Sequence, residues 1–279
     1  MPQAKLKSAT IQYRVLGPDD SIHPPVLFVH GILVDHRLWM KVAEELARNG
    51  FRCVLPDLPL GSHRIPVDES AALSPHSVAE MLHEFITELD LRDATVVGND
   101  TGGGLCQLLI DAHADDVGRL VLTNCDAFEK FPPFPFNAVF ATMRGPRSIG
   151  LLSRLMKVAA LRRSPLGYGL LVQRDDALTE SWIAPMSTDR RIAANLATLL
   201  RAVAAMDLTD VATRLPRFTK PVTIVWGTKD RCFTPALGRR LAAVFPNATM
   251  IEVPGASTFV ALDAPTAVVD AIAAVGART

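Results

Sequence analysis

The sequence predicts an α/β fold, a mostly parallel sheet with helices on both faces and a long helical insertion before the last two strands. Three observations predict it. β-Prone runs alternate with stretches of helical period. Several of those runs are continuously apolar, as strands covered on both faces are. The alternation then stops between Asn124 and Val222, where no strand pattern appears. With 279 residues, 49% of them hydrophobic, the chain can bury a large core.

Taken in order, the strands are expected at Val26 to His30, Arg52 to Leu55, Thr95 to Gly98, Leu120 to Asn124, Val222 to Trp226 and Thr249 to Val253. Between the second and third, Val78, Met81, Leu82, Phe85, Ile86 and Leu89 recur at helical spacing behind Ser74 as N-cap and Pro75 in the first turn. Leu105, Leu108, Leu109 and Ala112 predict a second helix, Leu237, Leu241, Val244 and Phe245 a third, and Val268, Val269 and Ile272 a fourth. The insertion opens with Phe128, Phe131, Phe134 and Phe136 among Pro132, Pro133 and Pro135, a stiff aromatic entry. These patterns divide the chain into a core segment 1–126, an inserted helical cap 127–215 and a second core segment 216–279.

Charge excludes some function classes. Lys plus Arg and Asp plus Glu number 29 each, leaving no basic excess for phosphates or anionic lipid, so neither a nucleic-acid nor a membrane partner is expected. The N-terminal MPQAKLKSATIQYRV lacks the pattern of a secretory signal and no apolar stretch is long enough to span a bilayer, so the expected location is cytoplasmic. Cys53, Cys106, Cys125 and Cys232 have no C-x-x-C spacing and read as reduced core thiols, with no metal or cofactor implied.

The chemistry concentrates in VVGNDTGGGL, a strand, a tight turn and a helix start. Such a nucleophile elbow needs small residues two positions either side of its central residue, because the turn leaves no room for side chains there. Gly98 and Gly102 therefore centre it on Asp100. Centring it on Thr101 would put Asn99 at a crowded position. The rival reading of Asp100 is a helix N-cap, which the amides and dipole of a helix start favour.

With this elbow, the HGIL loop and WGTKD near the C-terminus, the chain resembles the α/β-hydrolase superfamily over essentially its whole length, and most resembles the branch with an aspartate nucleophile, which includes haloalkane dehalogenases and epoxide hydrolases. The resemblance implies the α/β-hydrolase fold and an oxyanion hole formed by the backbone amides of Thr101 and Ile32. It implies Asp230 as the catalytic acid, with Asp126 as the alternative.

One part of that pattern fails. Where the family carries its catalytic histidine, in a segment such as PGxGHF, this chain reads PGASTF, with Thr258 in the histidine's place. The seven histidines, His23, His30, His36, His63, His76, His83 and His113, all precede the last strands. A threonine hydroxyl positions a water but does not accept its proton near neutral pH, so an ester on Asp100 would accumulate. His63, in PLGSHR, is the candidate replacement base. His30 is expected to be structural, and the helical histidines to be surface or packing residues.

Two further departures narrow the activity. Dehalogenases of this kind hold the halide with an indole after the nucleophile and a polar side chain after HG, where this chain has Thr101 and Ile32. Epoxide hydrolases offer two cap tyrosines, whereas only Tyr13 and Tyr168 are present. The expected function is a cofactor-independent enzyme with Asp100 in acid/base chemistry beside the oxyanion hole, open to a non-hydrolytic reaction that makes or breaks a C–C or C–O bond. The alternatives are a hydrolase with Asp100 as nucleophile and a catalytically silent binding protein. The expected ligand is a bulky, apolar or aromatic small molecule held by Phe128, Phe131, Phe134, Phe136, Phe140, Tyr168 and Trp182.

Overall fold

The computed structural model describes residues 1–172 and 176–276. Its strands are β1 (Gln3–Lys5), β2 (Thr10–Leu16), β3 (Val26–Val29), β4 (Cys53–Pro56), β5 (Ala94–Asp100), β6 (Val117–Cys125), β7 (Val222–Gly227) and β8 (Ala248–Val253). They form one sheet in the order β1-β2-β4-β3-β5-β6-β7-β8. From β4 to β8 across the sheet all neighbours are parallel, while β1 and β2 attach antiparallel at one edge. Every residue of β3, β4, β6 and β7 is buried, which explains why these strands read as continuous apolar runs.

All six expected strands are present. The sequence reading had not delimited β1 and β2, whose short, half-exposed edge positions carry little apolar signal. It also extended the first parallel strand to His30, but β3 ends at Val29. The His30 ring is committed instead to the turn: Nδ1 hydrogen-bonds Gly31 O at 2.9 Å and Nε2 accepts from the Leu58 amide at 2.9 Å. This pattern fixes a neutral ring with the proton on Nδ1, and burial holds its pKa below the usual value.

The core helices are α1 (Met40–Arg48), α2 (Pro75–Glu88) and α3 (Thr101–Ala112). Helix α2 starts where the sequence places it: Ser74 Oγ accepts from the Ser77 amide and Ser77 Oγ accepts from the Ser74 amide, a reciprocal cap. Its Val78, Met81, Leu82, Phe85 and Ile86 are buried, the helix packs on α3, and Phe85 meets Tyr13 of β2 edge-on. Between β6 and β7 lie α4 (Phe136–Thr142), α5 (Pro146–Leu155), α6 (Ala159–Arg162), α7 (Asp176–Thr188), α8 (Arg190–Val203) and α9 (Thr209–Arg214). The chain closes with α10 (Pro235–Ala242), α11 (Val260–Asp263) and α12 (Pro265–Gly276).

Within the insertion α5 packs on α7 and α8, and α8 reaches α2. Trp182 of α7 ties it to the sheet. Its Nε1–H donates to Asp35 Oδ1 at 2.9 Å and its carbonyl accepts from Ser62 Oγ at 2.8 Å. All four cysteines are buried and free of disulfides. Among the described residues no helix is long and apolar enough to cross a membrane.

Candidate active site

The turn between β5 and α3 shows why its sequence is so glycine-rich. A Cβ at Gly102 would stand 2.3 Å from Val29 O, and one at Gly98 would stand 2.7 Å from Cys106 Sγ and 2.8 Å from Gly103 Cα. Gly31 is equally constrained, since its Cβ would lie 2.2 Å from Asp100 Oδ2. Asp100 itself has φ 53° and ψ −132°, a conformation that costs a non-glycine residue of order 1–3 kcal/mol and recurs at functional sites. Its side chain makes no capping bond to α3. Asp100 therefore combines the strained turn that the elbow reading expects with the N-cap position of α3, but without the side-chain bond that a capping role would supply.

Half-buried, Asp100 opens into a cavity of about 730 Å³ of empty space, mouth included. Ile32, Leu33 and Thr101 form the floor with Asp100, while the insertion supplies apolar walls from α4, α5 and α7. Burial raises the Asp100 carboxyl to about 7, against the opposing pull of the Thr101 and Ile32 amides; the nearby Asp230 charge pushes it further up. The two amides assigned to the oxyanion hole thus face the carboxyl itself.

Asp230 sits behind this floor with all of its acceptor capacity engaged. Oδ2 accepts from Asn124 Nδ2 and from Thr258 Oγ1, each at 2.8 Å, and Oδ1 from the amides of Cys232 and Phe233 at 2.7 and 2.9 Å. Burial raises it to about 6 while these four donors favour its charged form. Thr258 is fully buried, and its hydroxyl is spent on Asp230 rather than turned toward Asp100. Neither residue lines the cavity. Asp126, the alternative acid, is also buried away from it. Desolvation and the neighbouring Asp100 hold its carboxyl toward the neutral form, against a hydrogen bond with the Thr101 side chain, and its Oδ1 finds no partner among the described residues.

His63 lies elsewhere. Its Nδ1 accepts from the Gly61 amide at 3.3 Å and its Nε2 faces Asn195 Oδ1 at 3.3 Å, so both ring nitrogens are engaged. Burial lowers its pKa to about 4. It is absent from the cavity wall, which removes the geometric basis for a replacement base.

Of the seven aromatic residues expected at the ligand, Phe136, Phe140 and Tyr168 line the cavity. The other four do not. The Phe128 ring lies under the Arg240 guanidinium at 3.8 Å. Phe131 packs edge-on to α3, where a Cβ on Gly104 would meet its ring at 2.7 Å. Phe134 is 76% exposed, because the proline-bounded turn carries it outward. Trp182 is wholly buried between the Tyr168 and Phe259 rings, at 5.6 and 5.9 Å. Most of the wall is instead aliphatic or thioether: Val139 and Met143, Leu152 and Met156, Ile183 and Met186. Each pair recurs at i, i+3 or i+4, a helical signal that the aromatic count overshadowed.

The sequence reading also missed two asparagines that align the site. Asn99 Nδ2 donates to Thr123 Oγ1, Asn124 O and Thr258 O at 2.9, 3.1 and 2.8 Å, tying the elbow to the loop that carries Thr258. Asn124 Oδ1 accepts from the Gly227 amide at 2.6 Å while its amide holds Asp230. Their signal was a polar residue at the buried end of an apolar strand. Two groups bring metal-ligand types of atom within 4.8 Å, Asp35–His36–Asp57 and His83–His113–Asp116. In both, the atoms already serve one another or neighbours: Asp57 Oδ1 bonds His36 Nδ1 at 2.6 Å, Asp35 holds Arg37 and Trp182, and His113 meets Glu80.

Comparison with known proteins agrees with this architecture. The family model described as alpha/beta hydrolase fold matches residues 24–265. Haloalkane dehalogenase 2 of Mycobacterium bovis is 30% identical over 272 residues, covering 93% of this chain and 90% of the relative. A 2-hydroxy-6-oxononadienedioate/2-hydroxy-6-oxononatrienedioate hydrolase of Cupriavidus pinatubonensis is 29% identical over 212 residues, covering 74% of this chain and 70% of the relative. Among solved structures, the enol-lactonase of Burkholderia xenovorans superposes with a TM-score of 0.75 at 20% identity, covering 98% of this chain and 99% of that one, a likeness of fold. The chain belongs to the α/β-hydrolase fold family, in its haloalkane-dehalogenase-like branch.

Proposed function

We propose that this α/β-hydrolase superfamily member is a cofactor-independent enzyme in which Asp100 transfers a proton to and from a largely apolar, bulky small molecule held beneath the cap, residues 127–215. The observation that carries this reading is a carboxyl raised to about 7, facing two backbone amides at the floor of an apolar cavity, with no imidazole on its wall among the described residues. A base poised near neutral pH is ionised often enough to act and basic enough to take a proton from carbon. Asp100 removes a proton next to the substrate carbonyl, and the electron pair moves onto the carbonyl oxygen. Proton uptake weakens the carboxyl's hold on the Thr101 and Ile32 amides, freeing both donors for the enolate oxygen. Return of the proton to carbon, or expulsion of a group from the next carbon as the carbonyl re-forms, with Asp100 giving its proton to that leaving group, completes a non-hydrolytic turnover and restores the carboxylate. The thioether walls of Met143, Met156 and Met186 adapt their shape to a large apolar ligand.

The elbow conformation and the dehalogenase relative favour a second reading, in which Asp100 attacks carbon as a nucleophile. One experiment separates them. The protein is incubated in D₂O with a panel of apolar ketones and β-dicarbonyl compounds, and in parallel with bromoalkanes and epoxides, and is followed by NMR and intact-protein mass spectrometry. Deuterium entering the carbon next to a carbonyl, lost in Asp100→Asn, supports proton transfer. A covalent adduct on the Asp100 peptide without such exchange would replace it with the nucleophile.

A further inference from the structure

The whole chain sums to zero charge, but the charges are not evenly spread. Between Glu129 and Asp175 there is no Asp or Glu, while eight of the 29 Lys and Arg fall there. The same segment holds most of the large apolar side chains that the described residues leave in solvent. Leu151, Leu155, Val158, Leu161 and Leu166 are each between 42% and 60% exposed, and Phe134 is 76% exposed. Positions 151, 155 and 158 recur at i, i+4 and i+7, so α5 and the turn after it present one outward apolar row. The opposite face of α5, Leu152 and Met156, lines the cavity. This helix therefore has two apolar faces, of which the core uses one.

Arg147, Arg154 and Lys157 are exposed around that row and make no ion pair among the described residues. The exposed acid that α7 brings nearby, Glu180, is taken by Arg162. Exposed leucines interleaved with unpaired cations, with no anion of their own, are the chemistry of a surface that rests on anionic lipid: headgroup phosphates meet the cations while single leucines enter the acyl boundary. A leaflet also accepts scattered leucines on a convex helix face, which need no matching pocket. Leu166 is 55% exposed and also lines the cavity, so one of the exposed apolar residues of this segment is shared with the cavity wall.

We propose that the α5–α6 face of the insertion is a docking surface for an anionic phospholipid bilayer, oriented so that an apolar ligand passes from the leaflet into the cavity. Chain-wide neutrality conceals this because the cations between residues 130 and 174 are balanced by acids in the rest of the chain. The proposal does not depend on the chemistry at Asp100.

Co-sedimentation with extruded vesicles tests it. Partition onto phosphatidylcholine vesicles containing about a third phosphatidylglycerol should exceed that onto pure phosphatidylcholine at least tenfold in 0.1 M salt and fall several-fold in 0.5 M salt, as screening requires. Arg154→Glu with Lys157→Glu should bring partition to the neutral-vesicle level, and Leu151→Ser with Leu155→Ser should lower it at every salt concentration, all with unchanged thermal melts. Equal or undetectable partition onto both vesicle types would overturn the proposal. So would a concentration-dependent dimer in light scattering that the leucine pair dissolves while vesicles capture nothing, since a second copy of the chain would then be the occupant.

Discussion

Asp100→Asn should make the protein more stable, and by an amount that depends on pH. In the fold this carboxyl titrates near 7 because burial disfavours its charge. In the unfolded chain an aspartate titrates near ~3.9. Between those values the folded state holds a proton that the unfolded state has lost, so wild-type stability falls as pH rises from about 4 to 7 and levels off above. Three units at about 1.4 kcal/mol each set a ceiling of about 4 kcal/mol. Partial exposure and the response of the neighbouring Asp126 and Asp230 carboxyls reduce the expected gain to about 2 kcal/mol. Asparagine matches aspartate in shape and also tolerates positive φ, and it keeps one carbonyl oxygen to face the Thr101 and Ile32 amides, so the substitution adds little strain. The assay is urea unfolding of both proteins from pH 4.5 to 8.5, with mass spectrometry to exclude deamidation. The curves should nearly coincide at pH 4.5 and separate to the full gap by pH 8. A gap independent of pH, or a less stable variant at pH 8, would refute the assignment of a raised carboxyl.

Other perturbations follow from the same geometry. Asp100→Asn should also abolish whatever turnover the protein performs, since the amide keeps the shape and loses the basicity; near-normal activity in a sample free of deamidation would remove Asp100 from the mechanism. Thr258→His alone should not release bromide from a simple bromoalkane above background, because Thr101 and Ile32 offer no halide-binding side chain and residue 258 is wholly enclosed. Asp230→Asn should destabilise the fold by about 2 kcal/mol at pH 7.5, seen in chemical denaturation, because it turns an amide donor against some of the four donors around Asp230. Phe136→Ala or Phe140→Ala should weaken an apolar fluorescent probe by about 1 kcal/mol each, whereas Phe134→Ala should leave its affinity unchanged; equal losses at all three would contradict the cavity.

The sequence by itself determined the sheet and the glycine-bounded turn that carries Asp100. Strands β3, β4, β6 and β7 are covered on both faces, so their apolar runs announce them, and the glycines around Asp100 are required by contacts so close that no other residue fits. Only the tertiary structure decided what surrounds that residue. Which aromatic rings face the cavity depends on how short helices rotate against their neighbours: composition could not place Phe136 and Phe140 inside while sending Phe128 under Arg240 and Phe134 into solvent. His63 could be removed from the site only by seeing both its nitrogens engaged near Gly61 and Asn195. The asparagines that fix Asp230 and Thr258 act across separations of 106 and 159 residues, which no local pattern encodes. A carboxyl's pKa is likewise a property of everything packed around it, so the sequence named Asp100 and the fold set its proton affinity.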